Sequence, residues 1–366
     1  MTNRAVDAII GGQWGSEGKG KIASALAKYY SAAVRTGAPN AGHTVRLGEN
    51  SYVMRSVPCA WTNPECNLFV GPAGLINIDV LTEELSKLPV GISSRLRYDR
   101  NAVIVTHADI EDEEKNNMNA KNGSTAEGVG PAQARKVLRR DCRTLGQTHD
   151  LPGFMRGQIT DVATVLNNTI DLGGAVMLEG TQGFGLSMNH GDYPFVTSRD
   201  ILSASLFSDA GLAPATHRYT WMVMRRYPIR VAGNSGPMGD AKELTWPEIS
   251  ARCGAPEGAI VEKTTVTKRV RRVSEIDWGF MKRSVALNRP TGIFLTFADY
   301  IDWAAHGTRD INQLPGSVLD FLREVERRLG VPVVALSTGA DELDMIWMPV
   351  LREVAPEFGQ LNLSLA

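Results

Sequence analysis

The sequence predicts an α/β fold in which helices flank a largely parallel central sheet, and the first turn of that sheet resembles a P-loop. Three features support this prediction: apolar runs of strand length, a glycine-rich loop after the first run, and one clear amphipathic helix. The runs are continuous rather than alternating, which is typical of strands buried on both faces. The later runs lie at 33–34, 68–70, 102–105, 175–178, 221–224, 292–295 and 333–336.

The first strand is predicted over Ala5–Ile10, and a loop from Gly11 to Lys21 leads from it into a helical pattern. Its five glycines let the backbone approach a ligand closely, and backbone N–H groups converge where a helix begins. Lys19 and Lys21 add the charge that a phosphate needs. We therefore expect the loop to bind phosphate, and a glycine-rich turn without a ligand is the alternative.

This loop departs from the P-loop pattern G-x-x-x-x-G-K-[ST]. Five residues rather than four separate Gly12 from Gly18, and Gly20 stands where the hydroxyl residue that holds Mg²⁺ is expected. Any metal ion must therefore be held by other residues.

Polar segments follow other predicted strands. The segment 36–44 carries His43, and the segments 179–183 and 190–198 follow a later strand. Ligands of α/β proteins bind beyond the carboxyl ends of strands, so we interpret His43 as functional, with a structural histidine as the alternative. Arg269 and Arg271 are two residues apart, and an extended backbone would point both toward a carboxylate or phosphate. A solvated basic face or a nucleic-acid patch is the alternative there.

The clearest helix is predicted over Val318–Leu329, with Gly330 at its exit and Pro332 beyond. No repeat or low-complexity linker divides the 366 residues, so we predict one elaborated domain over residues 1–366. Lys and Arg number 39 and Asp and Glu number 40, so the overall charge attracts neither nucleic acid nor an anionic membrane. Cysteines without C-x-x-C pairing favour reduced thiols. We expect a cytoplasmic protein, in the host cytoplasm if its source is viral, that binds neither nucleic acid nor membranes.

Together these segments closely resemble the adenylosuccinate synthetase family. Gln13–Lys21 and Asn40–Thr44 match its two hallmark loops. The likeness covers nearly the whole chain and continues through 123–125, 128–131, 179–183, 190–191, 193–198, 269–272 and 337–339. The family normally has Asp where this chain has Ser16. That change resembles a phage branch that acts on dGMP in making 2-aminoadenine nucleotides for modified DNA.

The resemblance implies a ligase that phosphorylates the 6-oxo group of a purine nucleotide and then displaces the phosphate with the amine of aspartate. The implied catalytic residues are Ser16, Lys19, His43 and Gln182, and the implied Mg²⁺ ligands are Ser16 and Gly42. The implied contacts of the purine monophosphate are Ser16, Asn40, Ala41, Thr125, Arg139, Gln182, Thr197 and Arg269. Those of the donor nucleotide are Gly15, Glu17, Gly18, Gly20, Lys21, Gly42, Thr44, Arg271, Phe297, Asp299, Ser337 and Gly339. Those of aspartate are Val266, Thr267, Arg269 and Arg271.

The resemblance also implies a homodimer in which Arg139 reaches the neighbouring subunit's site. Ordinary members of the family read GTP with a T-K-x-D strand end, which here is 296–299 with Phe297 in place of lysine. Ala340 likewise stands where the family has proline. We therefore predict ATP or dATP as the donor.

Ser16 is too weak a base to take the N1 proton of the purine unaided, so we expect Gln182 or water to assist. Glu127 stands where arginine is common in the family, and Lys268 where glycine is common. Two alternatives stay open: an ordinary synthetase acting on IMP with GTP, and a catalytically inactive purine-nucleotide sensor.

Overall fold

Strands and helices alternate along most of the chain. The computed structural model describes residues 4–140, 142–264, 269–359 and 361. The strands are β1 Val6–Gly11, β2 Ala32–Thr36, β3 His43–Leu47, β4 Asn50–Met54, β5 Asn67–Val70, β6 Leu75–Ile76, β7 Leu96–Asp99, β8 Val103–Ile104, β9 Ile159–Thr160, β10 Val176–Gly183, β11 His217–Arg225, β12 Ile229–Arg230, β13 Glu243–Leu244, β14 Arg272–Ser274, β15 Gly292–Thr296, β16 Val333–Ser337 and β17 Met345–Trp347. The α-helices are α1 Lys19–Leu26, α2 Ile78–Ser86, α3 Ile92–Arg95, α4 His107–Lys115, α5 Met118–Asn122, α6 Val129–Leu138, α7 Val162–Asp171, α8 Ser203–Ala210, α9 Trp246–Cys253, α10 Trp278–Asn288, α11 Gly316–Leu329 and α12 Val350–Val354.

Within the described residues, ten strands form one sheet in the order β17-β16-β15-β11-β1-β10-β2-β5-β7-β9. Strand β1 lies inside the sheet between β10 and β11, and both pair with it in parallel. The edge strand β17 pairs antiparallel with β16. Parallel neighbours require crossover connections, which the helices supply. The predicted α/β class with a largely parallel sheet is confirmed.

Strand β1 shows why its sequence is continuously apolar. Ile9 packs in one apolar cluster with Ile22, whereas Ala8 and Ile10 pack in a second cluster with Leu178. Because successive side chains of a strand point to opposite faces, these two clusters cover the two faces of the sheet. Both faces are therefore buried, as the apolar runs predict.

The helix predicted over Val318–Leu329 is α11, and it ends at Gly330, whose φ of 66° suits a left-handed C-cap.

The run 102–105 differs from the other apolar runs because only β8 forms there, paired with β6 outside the central sheet. The N–H of Ala102 bonds to the carbonyl of Asp99 and closes a turn that directs the chain away from β7.

No helix in the described part of the chain is long and apolar enough to cross a membrane.

Asp7 is a completely buried carboxylate that ties β1 to β11. It accepts hydrogen bonds from Nε and Nη2 of Arg218 at 2.9 and 2.8 Å, and from the hydroxyl of Tyr30 at 2.6 Å. A buried carboxylate is tolerated only where charged or polar partners surround it, as they do here.

Replacing Asp7 by alanine is expected to lower the free energy of unfolding by about 3–5 kcal/mol, because the Arg218 guanidinium and the Tyr30 hydroxyl lose their acceptor. Equilibrium urea unfolding measures this change. The control is Glu83→Ala, which removes an exposed ion pair with Lys87 and should leave stability nearly unchanged. Equal unfolding midpoints for the two variants would contradict the prediction.

Candidate active site

The segments that carry polar motifs follow the carboxyl ends of β1, β2, β10 and β15. These strands run parallel within one sheet, so their carboxyl ends lie at the same edge. Ligands of open α/β sheets bind at this edge. Residues separated by almost three hundred positions in the sequence therefore share one site.

The loop after β1 folds around the side chain of Glu17. This completely buried carboxylate accepts hydrogen bonds from the N–H groups of Gln13 (3.2 Å) and Gly15 (2.8 Å), and it pairs with Nζ of Lys19 (2.6 Å). Burial alone would raise the pKa of Glu17, but Lys19 holds the pKa below its ordinary value. The φ angles of Gly15 and Gly18, 100° and 96°, lie where glycine is favoured. Glu17 thus shapes the loop from inside, and its contribution to donor binding stays a prediction.

Lys21 connects this loop to the segment after β16. Its Nζ donates hydrogen bonds to Oγ of Ser337 (2.7 Å) and to the carbonyl oxygens of Gly339 and Asp344 (2.9 Å each). Burial lowers the pKa of Lys21 to about 8. Its ammonium group therefore positions the two segments, and its direct contact with a phosphate stays a prediction.

His43 lies in a buried network centred on Glu179. Oε1 of Glu179 is 2.6 Å from Nδ1 of His43 and accepts a hydrogen bond from Nη1 of Arg35 at 2.8 Å. Oε2 of Glu179 accepts from the N–H of Cys59 at 2.7 Å. Nε2 of His43 lies 3.1 Å from the carbonyl oxygen of Thr181. Contacts from β2, from β10 and from the segment after β4 thus fix the position of the imidazole.

The electrostatics of this network oppose a charge on His43 in the ligand-free site. Burial, followed by the positive charge of Arg35, lowers the pKa of His43 to about 4. Burial also disfavours the ionised form of Glu179, but His43 and Arg35 hold the pKa of Glu179 at about 2. Burial and Arg35 therefore favour the neutral imidazole of His43, whereas His43 and Arg35 favour the ionised carboxylate of Glu179.

The ligand atoms of His43, Cys59 and Glu179 lie within 4.8 Å of one another, as those of a metal site would. Their surroundings argue against one. Arg35 already places a cation on the carboxylate, and burial raises the pKa of the Cys59 thiol well above its ordinary value, which disfavours a thiolate ligand. We interpret this group as structural support for His43.

A cavity of about 530 Å³ gathers most of the residues predicted to hold the purine nucleotide. These lining residues are Ser16, Asn40, Ala41, Thr125, Gln182, Thr197 and Arg269. Arg139 does not line it. Instead, Arg139 lies exposed at the end of α6, and its contribution to a partner's site stays a prediction. Val266 and Thr267, predicted to bind aspartate, lie outside the described residues, as does Lys268.

Polar side chains of this purine cavity are oriented before a ligand binds. Oγ1 of Thr181 donates to Oε1 of Gln182 at 2.5 Å, and Nε2 of Gln182 donates to Oδ1 of Asn40 at 3.1 Å. The hydroxyl of Thr197 is buried and has no hydrogen-bond partner among the described residues. Such a group is costly unless a ligand or water satisfies it.

A second cavity, of about 520 Å³, gathers the residues predicted to hold the donor nucleotide. Those lining it are Gly18, Gly20, Lys21, Gly42, Thr44, Arg271, Phe297, Asp299, Ser337 and Gly339, together with the catalytic candidate Lys19. Gly15 lines the purine cavity instead, and Glu17 lines neither. The two cavities share Ser16, Gly42, His43 and Arg271, which we call the junction.

The structure also places residues in the site that the sequence did not single out. Arg55 lines the purine cavity, and its Nη2 lies 2.5 Å from Oε2 of Glu127. Arg55 therefore neutralises the carboxylate of Glu127, which stands where arginine is common in the family. Arg230 is buried beside the same cavity. His306 lines the donor cavity and bonds to Asp299. None of these belongs to a recognisable motif, so only the fold could reveal them.

The family model for adenylosuccinate synthetase matches residues 8–152 and 145–306. An adenylosuccinate synthetase from Thermococcus sibiricus is 35% identical over 338 residues, which cover 91% of this chain and 95% of the relative. This chain belongs to the adenylosuccinate synthetase family. It is therefore an enzyme of the carbon–nitrogen ligase class, and members of this family depend on a nucleoside triphosphate and use Mg²⁺.

Two solved structures from this family extend the comparison. The succinoaminodeoxyadenylate synthetase of cyanophage S-2L, bound to dGMP and dATP as an energy donor, is 27% identical with a TM-score of 0.80 over 98% of this chain and 99% of its own. The fully ligated adenylosuccinate synthetase from Plasmodium falciparum is 22% identical with a TM-score of 0.83 over 94% and 100%. The latter similarity confirms the synthetase fold.

Replacing Glu179 by glutamine is expected to reduce kcat by at least about tenfold, because loss of the carboxylate leaves Arg35 unopposed and lowers the pKa of His43 further. In the pH profile of kcat, the decline of activity at high pH should then begin at a lower pH than in the wild type. The control is Glu84→Gln, which changes another buried carboxylate, held by the N–H groups of residues 55–57. Identical pH profiles for the two variants would exclude this role of Glu179.

Proposed function

We propose that this ligase joins L-aspartate to C6 of dGMP, using ATP or dATP as the phosphoryl donor. The product is N6-succino-2-amino-2′-deoxyadenylate, a precursor of 2-aminoadenine for DNA synthesis. The supporting observation is the junction, where the predicted purine cavity and the predicted donor cavity share Ser16, Gly42, His43 and Arg271. A phosphoryl group placed there reaches both ligands.

The chemistry requires such a junction. An amide-like oxygen on C6 is a poor leaving group, so it is first phosphorylated, and the amine of aspartate then displaces phosphate. Phosphoryl transfer depends chiefly on positioning and on neutralising charge. On the donor side, that neutralisation comes from the N–H groups of residues 16–20 and from Lys19, whose ammonium group Glu17 holds at the loop. Arg269 and Arg271, which both line the purine cavity, are placed to bind carboxylates of aspartate.

His43 acts on the transferring phosphoryl in this proposal. His43 lines both cavities, and Oε1 of Glu179 lies 2.6 Å from its Nδ1. The negative charge of the phosphoryl group raises the pKa of a neighbouring imidazole. His43 therefore takes up a proton when the ligands bind and donates a hydrogen bond to the phosphoryl oxygens.

Mg²⁺ prefers oxygen ligands and keeps phosphate oxygens in its coordination shell. The exposed residues Ser16 and Gly42 provide a hydroxyl and a carbonyl oxygen at the junction, whereas the carboxylate of Glu17 is buried within the loop. These two neutral oxygens, completed by phosphate oxygens, fit the ion. When bound, Mg²⁺ neutralises the charge of the donor phosphates.

Ser16 supports dGMP as the nucleotide. Its φ of 55° is left-handed, and its carbonyl accepts a hydrogen bond from Nη1 of Arg225 at 3.0 Å, so the loop holds the residue in a fixed conformation. A side chain shorter than aspartate leaves room for the 2-amino group of guanine. The cyanophage synthetase that binds dGMP has the same fold. With serine at this position, Gln182 or a water molecule assists removal of the N1 proton.

The donor proposal rests on the strand end at β15. Phe297 replaces the lysine of the T-K-x-D pattern, and its ring stacks on the Arg225 guanidinium at 3.9 Å. It therefore offers guanine no hydrogen bond. The cyanophage structure contains dATP as its energy donor, which supports an adenine nucleotide here.

We also propose a homodimer in which Arg139 completes the partner's site. Val137 and Leu138, immediately before it, are 65% and 57% exposed. Exposed apolar side chains next to a predicted cross-subunit residue are consistent with an interface.

The alternative is an ordinary synthetase that acts on IMP with GTP, which the names of the curated relatives favour. A catalytically inactive sensor is disfavoured, because Lys19, His43 and Gln182 all lie at the two cavities. Phosphate release that depends on added aspartate separates an enzyme from a sensor.

Wild-type protein is expected to turn over dGMP in preference to IMP, and Ser16→Asp should shift the ratio of kcat/KM toward IMP by at least about tenfold, because the longer carboxylate crowds the 2-amino group. Steady-state assays with dGMP, GMP, IMP and dIMP measure the ratio. Ser16→Ala is the control, since it preserves the space and should keep the preference for guanine. An unchanged ratio in Ser16→Asp would show that this position does not set base choice.

A further inference from the structure

The purine cavity contains a guanidinium group to which the proposed reaction gives no role. Arg55 follows β4 directly, lines this cavity, and has 18% of its side chain exposed. Its backbone N–H donates to Oε1 of Glu84, and its carbonyl accepts from Nε of Arg35, both at 3.1 Å. Its Nε donates to the carbonyl oxygen of Pro39 at 2.6 Å. The backbone of Arg55 and the inner end of its guanidinium are therefore fixed before a ligand binds.

The two terminal nitrogens of Arg55 lack hydrogen-bond acceptors within the part of the chain that the structure describes. Oε2 of Glu127 lies 2.5 Å from Nη2, but the contact is an ion pair without the alignment of a hydrogen bond, and Nη2 is buried. A buried donor without an acceptor is costly until a ligand or water satisfies it. Arg55 therefore offers N–H donors and a positive charge to an anionic ligand of the cavity.

The other arginines that line this cavity already have partners or roles. Among the described residues they are Arg230, Arg269 and Arg271. Arg230 donates to two backbone carbonyl oxygens and pairs with Asp192. In the proposed function, Arg269 and Arg271 bind the carboxylates of aspartate. Within this chain, Arg55 is thus the lining arginine that remains for the phosphate of the nucleotide.

The neighbours of Arg55 indicate which end of the nucleotide it meets. Pro39, which accepts from its Nε, precedes Asn40, and Glu127 lies two residues after Thr125. Asn40 and Thr125 both line the cavity, and both are predicted contacts of the purine monophosphate. The guanidinium therefore bridges the two segments that carry these contacts. Its planar array of N–H donors matches the oxygens of a phosphate.

We propose that Arg55 binds the phosphate of the purine monophosphate from within the same chain, and that Glu127 holds the guanidinium and balances its charge before the nucleotide binds. This inference rests on the proposed function, in which a purine monophosphate occupies this cavity. Arg55 then acts together with Arg139, which in that function reaches the same ligand from the partner subunit.

The test compares dGMP with 2′-deoxyguanosine, which has the same base and sugar but no phosphate. Isothermal titration calorimetry on the full chain measures the affinity for dGMP directly and that for the nucleoside by competition with dGMP. Arg55→Met is expected to reduce the ratio of the two affinities by at least about tenfold, because it removes charge-assisted hydrogen bonds to the phosphate. The affinity for the nucleoside should stay nearly unchanged. Arg55→Lys keeps the charge and should restore part of the ratio.

Two further variants separate a phosphate contact from support of the loop 123–128. Glu127→Gln breaks the ion pair but keeps Arg55, so the ratio should stay within about threefold of the wild-type value. The control is Arg100→Met, which removes an exposed arginine outside both cavities and should leave the ratio unchanged.

The outcomes distinguish this inference from the proposed function. If the wild type binds dGMP more tightly than deoxyguanosine and Arg55→Met does not change the ratio, the inference is wrong and the proposed function stands. Equal losses in Arg55→Met and Glu127→Gln would also overturn it, because the ion pair would then only support the loop. If the wild type does not bind dGMP, the purine site of the proposed function fails, and the inference fails with it.

Discussion

The buried carboxylate of Glu179 is the interaction on which the candidate site depends. It lies in β10, and it binds the guanidinium of Arg35 in β2, the imidazole of His43 at the start of β3 and the N–H of Cys59 beyond β4. An ionised carboxylate is stable at such a depth only while these partners remain in place. The charge therefore fixes the backbone segments that carry the predicted acid, and it links the core of the sheet to the chemistry at its edge.

The parallel sheet supplies the second constraint. Because β1, β2, β10 and β15 end at one edge, the glycine-rich loop, the His43 segment, Gln182 and Phe297 converge without adjacency in the sequence. The loop after β1 borders both cavities, since Ser16 lines each of them. In the proposed function, this turn places the phosphoryl donor beside its acceptor, as a transfer that depends on positioning requires.

Much of this arrangement could be predicted from the sequence, because it depends on local patterns. Continuous apolar runs identified the buried strands, and the family resemblance identified residues that the structure gathers in two adjoining cavities. The exceptions depend on long-range contacts. The run 102–105 forms β8 outside the central sheet, after a turn. Lys21 bonds to residues more than three hundred positions away. His306 reaches Asp299 across a 3-10 turn. No periodicity or motif encodes such contacts.

In the proposed function, the purine oxygen at C6 becomes the leaving group through transfer of a phosphoryl group at the junction. The direct measurement uses dGMP labelled with ¹⁸O at the 6-oxo position, together with ATP and aspartate, and determines the isotope content of the released phosphate by mass spectrometry. If the 6-oxygen is phosphorylated before it leaves, each phosphate formed with the product carries one ¹⁸O atom. Unlabelled phosphate released in step with product would contradict it, because the oxygen would then have left C6 without being phosphorylated.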